Sequence, residues 1–244
     1  MTAITKLEKY KDYLDRALSY YYGDDLFIKY FNRIPKSRYY TLLYCLDEIE
    51  KNNMKNIVEL GTSRSFVDGR FTGCNSDDTV FWEKNNPEKW DWSAGCFTRL
   101  FNSCLNHIPD LNFHTVDLAH SHIERCRYMN QDFPEINYHI SSSEDFLLNY
   151  DGKIDLLYLD TGDMTPIEDT AQLHLREAKI IVERNLLSDN GIILIDDIRS
   201  PIPYINGENI DLGKGYLSIP YFLQNGYEII MDEYQTILRK TKNS

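Results

Sequence analysis

The chain has 244 residues, enough for one large domain or two small ones, and 42% of them are hydrophobic, ample for a sizeable core. Its formal net charge is −12 with no basic block, so phosphate backbones are repelled and no nucleic-acid partner is expected. No apolar run approaches the roughly 20 residues of a membrane span, and the opening MTAITKLEKYKDYL lacks a signal peptide's apolar stretch, so a soluble, cytoplasmic protein with no membrane partner is expected.

In chain order, the pattern to about Asn53 is helical. Leu7, Tyr10, Leu14 and Leu18 recur at three- and four-residue spacing, and SRYYTLLYCLDEIEKNN opens on Ser37 as an N-cap and ends in a polar stop. Short apolar segments follow at 56–61, 111–118, 136–142, 153–160 and 191–197. Helical stretches alternate with them at 94–108, 121–133 and 171–187. Near-continuous apolar strands separated by helices predict a doubly wound, mainly parallel, Rossmann-like α/β sheet covered on both faces. The last segment, KGYLSIPYFLQNGYEIIMDEYQTILRK, predicts an antiparallel strand pair, with a turn signal at Asn225-Gly226. The expected organisation is one domain: a helical cap over 1–53, a cofactor-binding core over 54–200 and C-terminal strands over 201–244. A homo-oligomer is compatible with all of this.

The five cysteines (Cys45, Cys74, Cys96, Cys104 and Cys126) are scattered and never spaced as CxxC, which argues against a disulfide framework and a structural zinc site. His120 and His122 are expected to start a surface helix and His174 to lie within one. None has a trusted ligand spacing.

Ligands of doubly wound sheets bind beyond the carboxyl ends of the strands. The first such end is VELGTSRS (58–65), with Glu59 closing the strand and Gly61 allowing a tight turn. The nicotinamide fingerprint fails, because positions 61, 63 and 66 are Gly, Ser and Phe. The second strand ends in Asp117, placed to accept from a ribose diol, with Leu118 beside it. The third delivers Ser142, Ser143, Glu144 and Asp145, suited to the polar edge of adenine.

The order VELG, VDL, SSSEDF, IDLLYLD, GIILIDD resembles the class I S-adenosylmethionine-dependent methyltransferases over roughly residues 50–200. It is most similar to the metal-dependent small-molecule O-methyltransferases of the catechol type and the macrocin and novobiocin sugar type. The resemblance implies that Glu59, Gly61 and the turn through Thr62, Ser63 and Ser65 hold the methionine part of the cofactor. It implies Asp117 on the ribose, and Ser143 with Glu144 near adenine. Ser65 stands where the family often has a second glycine, and a long insertion follows it.

Asp196 and Asp197 end the apolar strand GIILI. Neighbouring residues within a strand point to opposite faces, so the pair converges only if the chain leaves the strand, as RSPIP with Pro201 and Pro203 indicates. The preceding strand ends in Asp160, followed by Asp163. Such an oxygen-rich set suits Mg²⁺ or another hard divalent cation. The resemblance assigns Asp160, Asp196 and Asp197 as metal ligands and Asp163 as general base, with Asp160 also expected among the catalytic and cofactor-binding residues, although LDTGD is one residue longer than the family's LDGD and no lysine stands beside it. Trp82, Trp90 and Trp92 all fall in FWEKNNPEKWDW, giving either an acceptor platform or pins for a long loop. Lys214, in GKGY, is available for an anionic group. The expected activity is methyl transfer from S-adenosylmethionine to a hydroxyl of a small acceptor such as a saccharide or nucleotide-linked sugar. A metal-independent O- or N-methyltransferase and a non-catalytic cofactor-binding protein are the alternatives.

Overall fold

The structure, a computed structural model, describes residues 2–91, 97–133, 135–201, 204–205 and 208–241. Four helices come first: α1 (Ala3–Leu7), α2 (Lys11–Tyr21), α3 (Asp24–Phe31) and α4 (Arg38–Asn52). Strands and helices then alternate through β1 (Asn56–Leu60), α5 (Phe97–Leu105), β2 (Asn112–Asp117), α6 (His120–Met129), β3 (Ile136–Ile140) and α7 (Ser143–Asn149). The series continues with β4 (Ile154–Leu159), α8 (Ile167–Glu183) and β5 (Leu187–Ile195). A two-residue pair, β6 (Tyr204–Ile205) and β7 (Glu208–Asn209), precedes α9 (Ser218–Gln224), β8 (Tyr227–Asp232) and β9 (Thr236–Lys240).

One seven-stranded sheet runs in the order β3-β2-β1-β4-β5-β9-β8. Its first five strands are mutually parallel, and β9 and β8 close the edge antiparallel. The apolar runs are continuous because both faces are covered. Ile57, Leu156, Tyr158, Ile192 and Leu194 pack with residues of α1, α4 and α5. The alternate residues Val58, Leu60, Leu157, Leu159 and Ile193 pack with α7, α8 and α9. Each such aliphatic side chain contributes roughly 1.5–3 kcal/mol on burial, so the register of these strands is held from both sides.

Four local expectations change. Ser37 occupies the N-cap of α4, but its hydroxyl makes no cap bond and donates instead to Asp15 at 2.5 Å. Asn225-Gly226 is not the hairpin turn: it links α9 to β8, with Gly226 at φ 81°, and the hairpin closes between Asp232 and Thr236. The segment before it, read as β-rich, contains α9. β5 also begins earlier than expected, because Leu187 pairs with Ile154 before an irregularity lets Ile192 pair with Leu156.

Candidate functional site

A cavity of about 800 Å³ opens at the carboxyl ends of β1, β2, β3 and β4, within the usual range for a small-molecule site. At β1 the backbone turns through Gly61 at φ 86°, and a Cβ there would lie 2.4 Å from the Asp160 carbonyl oxygen. Only glycine permits that approach. The Thr62 amide, one residue on, donates to Asp117 at 3.0 Å, and the Ala119 amide donates to the other Asp117 oxygen at 2.8 Å. His122 Nδ1 lies 3.2 Å from the same carboxylate. A carboxylate has about four lone-pair sites, so Asp117 is oriented by the backbone and retains acceptor capacity toward the cavity it lines.

Beyond Asp117, Leu118 is 74% exposed and offers an apolar wall. Ser142 caps α7 by accepting from the Asp145 amide at 3.0 Å, which puts Ser142, Ser143 and Glu144 on the lining. Glu144 is paired with Arg176 at 2.9 Å.

Other residues of the turn face away from the cavity. Glu59 is fully buried, and one of its oxygens accepts from the hydroxyls of Thr62, Thr98 and Thr115 while the other has no partner. Burial pushes its carboxyl up to about 8, against the pull of those hydroxyls. Ser63 receives Arg125 on its carbonyl at 2.7 Å. Ser65 donates to the Val67 carbonyl and accepts from the Asn75 amide. None of these three lines the cavity; they brace the turn and the insertion after it.

The acids at the ends of β4 and β5 do converge. Asp197 adopts φ 55°, so the chain leaves the sheet there, and carboxylate oxygens of Asp160, Asp196 and Asp197 lie within 4.8 Å of one another. Two cationic side chains from distant segments share them. Arg38 Nε donates to both Asp196 oxygens at 3.0 and 3.1 Å, and its Nη2 donates to Asp197 at 3.1 Å. Lys214 Nζ lies 2.7 Å from Asp160 and 3.0 Å from Asp197. Tyr234 donates to Asp197 at 2.6 Å and carries the Arg38 guanidinium over its ring, and Tyr158 donates to Asp196.

The electrostatics follow from this packing. Burial would lower the Lys214 ammonium, but Asp160 and Asp197 overcome it and hold it well above the usual lysine range. Burial likewise opposes ionisation of Asp197, yet Lys214 and Arg38 hold its carboxyl below the ordinary value. Asp160 moves the other way: burial, aided by Asp196 and Asp197, pushes it up to about 7 despite Lys214. Asp196 does not reach the cavity lining, whereas Arg38, Asp160, Asp197 and Lys214 do.

A divalent ion does not fit this arrangement as it stands. All three carboxylates are engaged, and the position between Asp160 and Asp197 is filled by an ammonium. Lys214 was expected to be available for an anionic group, and two carboxylates hold its ammonium instead. It reaches Asp160 from 54 residues further along the chain.

Asp163 is exposed at the cavity mouth and paired with Arg64 at 2.9 Å. Trp82 and Trp90 stack on each other at 5.2 Å; Trp90 is buried, and its indole nitrogen donates to the Glu83 carbonyl at 2.9 Å. Tyr13 donates to the Trp90 carbonyl. Neither ring lines the cavity, so these two pin the insertion to the body. Trp92 lies outside the described residues. His174 is buried against the Thr161 carbonyl at 3.0 Å, and burial lowers its pKa to about 3. Arg38, Tyr22 and Tyr234 complete the acid end of the cavity. Sequence reasoning missed all three, since none belongs to a local motif.

No family model matches the chain, and no curated protein matches it. Solved structures do. The SAH-bound methyltransferase PaMTH1 of Podospora anserina is 14% identical, with 96% of this chain and 97% of that one covered at a TM-score of 0.50. A Corynebacterium glutamicum protein is 8% identical, with 99% and 91% covered at a TM-score of 0.52. Over nearly its whole length, the chain has the Rossmann-like fold of the class I methyltransferases.

Proposed function

We propose that the chain is an S-adenosylmethionine-dependent methyltransferase acting on a hydroxyl of a small acceptor. The observation that carries the reading is one continuous cavity joining Asp117 and Ser142–Glu144 to the buried Asp160–Lys214 pair. A SAH-bound methyltransferase of the same fold supports it. Bound there, S-adenosylmethionine supplies an electrophilic methyl on a sulfonium. Asp117 would hold the ribose hydroxyls, and Leu118 with Ser143 the adenine. With all three aspartates ionised, the acid cluster keeps one negative charge beyond Arg38 and Lys214, complementary to a sulfonium.

Asp160 is the best-placed general base. One of its oxygens holds Lys214, and the other has only a long 3.4 Å contact with Tyr158. A carboxyl poised near neutrality is suited to take a hydroxyl proton as the new O–C bond forms. Asp163, paired with Arg64 at the mouth, is the second candidate. The spacing of the three carboxylates is what favours a metal-assisted version, and Arg38 and Lys214 oppose it. Tyr22 at the acid end gives aromatic surface for a saccharide or nucleotide-linked sugar, the acceptor class implied by the resemblance.

The test is calorimetric titration of S-adenosylmethionine into wild type and Asp117→Ala. Removing a charged hydrogen-bond partner costs roughly 1.5–3 kcal/mol, so micromolar binding should weaken at least about tenfold. An absence of binding to the folded wild type would refute the reading.

A further inference from the structure

The acid cluster has the composition of a divalent-cation site but the contacts of something else. Three carboxylates converge, and into the gap between two of them reaches Lys214, from a segment 54 residues beyond Asp160 in the chain. Its side chain is only 5% exposed. The delivery is built into the backbone. Leu212 adopts φ 70° and Gly213 φ 44°, and a Cβ at Gly213 would lie 1.9 Å from the Asp197 carbonyl oxygen. The segment therefore presses on the Asp197 backbone as only glycine allows, while Asp197 itself adopts φ 55°. Left-handed conformations at two non-glycine residues are strained and persist where surrounding structure over-determines them.

The geometry points to Lys214 as the resident cation of this site: its ammonium takes the place of a divalent ion between Asp160 and Asp197, and the site works without metal. This assignment rests on the proposed methyltransferase reading and deepens it. Mg²⁺ would need oxygens at about 2.0–2.1 Å in near-octahedral array. Here Asp196 is closed off by Arg38, Tyr158 and the Asp197 amide, and one Asp197 oxygen by Arg38 and Tyr234. An entering ion would have to expel a buried ammonium. Two of the three ammonium protons are committed to carboxylates. The third is left for an acceptor oxygen in the cavity that Lys214 lines. In that arrangement Lys214 positions the oxygen beside Asp160 and stabilises the negative charge that develops as its proton leaves, a task otherwise given to a metal.

The experiment is a titration with Mn²⁺ alone, read by the paramagnetic resonance of the free ion, on wild type, Lys214→Met and Lys214→Gln. Wild type should leave Mn²⁺ unbound up to about 1 mM, and removing the ammonium should open the carboxylates and tighten binding at least about tenfold. Both variants remove the same charge, and Lys214→Gln serves if Lys214→Met fails to fold. Micromolar Mn²⁺ binding by wild type would overturn the assignment on its own. So would equally weak binding by wild type and the folded variants. The readout needs neither cofactor nor acceptor, so it stands apart from the S-adenosylmethionine titration. That titration could fail while the ion result holds, or the reverse.

Discussion

The two ends of the cavity are stabilised by different kinds of contact. At the Asp117 end the decisive bonds are short in sequence: Ala119 to Asp117, and Asp145 to Ser142. The exception, Thr62 to Asp117, joins the ends of two adjacent parallel strands. At the acid end the partners come from far away, Arg38 being 158 residues from Asp196. The Asp117 end is thus a product of strand topology, and its polar groups are oriented by backbone amides. The acid end is a buried charge assembly that exists only when the N-terminal helices and the segment before α9 are both docked. Burying ions is costly, and the assembly holds because each charge has a partner.

The largest expected effect breaks that assembly. Arg38→Ala leaves Asp196 and Asp197 buried without their shared counter-charge and should destabilise the fold by about 3–5 kcal/mol in urea unfolding. A loss under about 1 kcal/mol, the scale of a surface pair, would erase the contrast between the two ends.

Next comes a pH effect at Glu177, a buried α8 acid that accepts from Thr161 at 2.9 Å, between the two ends. Burial pushes its carboxyl from 4.5 up to about 7, against the hydroxyls of Ser143 and Thr161. Between those values the unfolded chain releases a proton that the folded chain keeps, so rising pH favours unfolding until the window is passed. At one pKa unit per 1.36 kcal/mol, wild type should lose on the order of 3 kcal/mol relative to Glu177→Gln between pH 4.5 and 7.5. Parallel unfolding curves for the two proteins would refute the buried acid's role.

The smallest effect is expected at the cavity mouth. Arg64 and Asp163 form an exposed pair across the cavity mouth, and Arg64→Ala should change stability by no more than about 0.5 kcal/mol. A change of 2 kcal/mol or more would make the mouth part of the assembly rather than its solvated rim.

What was legible in the sequence follows the same division. The strand ends carrying Gly61, Asp117, Ser142 and Asp160 could be read because strand, turn and acid are contiguous in the chain. So could the exit of the chain at Asp197, from the prolines that follow it. Glu59 was expected on the cofactor and faces inward instead. It shares strand parity with Ile57, and that face packs on α4 and α5. The alternation was available to read, but the strand-end position outweighed it. Trp90 is in the core because the insertion folds back through Tyr13 and the Glu83 carbonyl, neither of which any spacing rule connects to it. Arg38 and Lys214 were hidden for a stronger reason. A cation 158 or 54 residues from its acid leaves no local pattern, and three acids without visible partners look like a metal site.

The most direct measurement of the central claim is a crystal structure grown with S-adenosylhomocysteine. The ribose hydroxyls should lie on the Asp117 carboxylate, the adenine beside Leu118 and Ser143, and the sulfur toward Asp160 with Lys214 still between Asp160 and Asp197. A nucleoside bound elsewhere, or Lys214 swung out with an ion in its place, would contradict it.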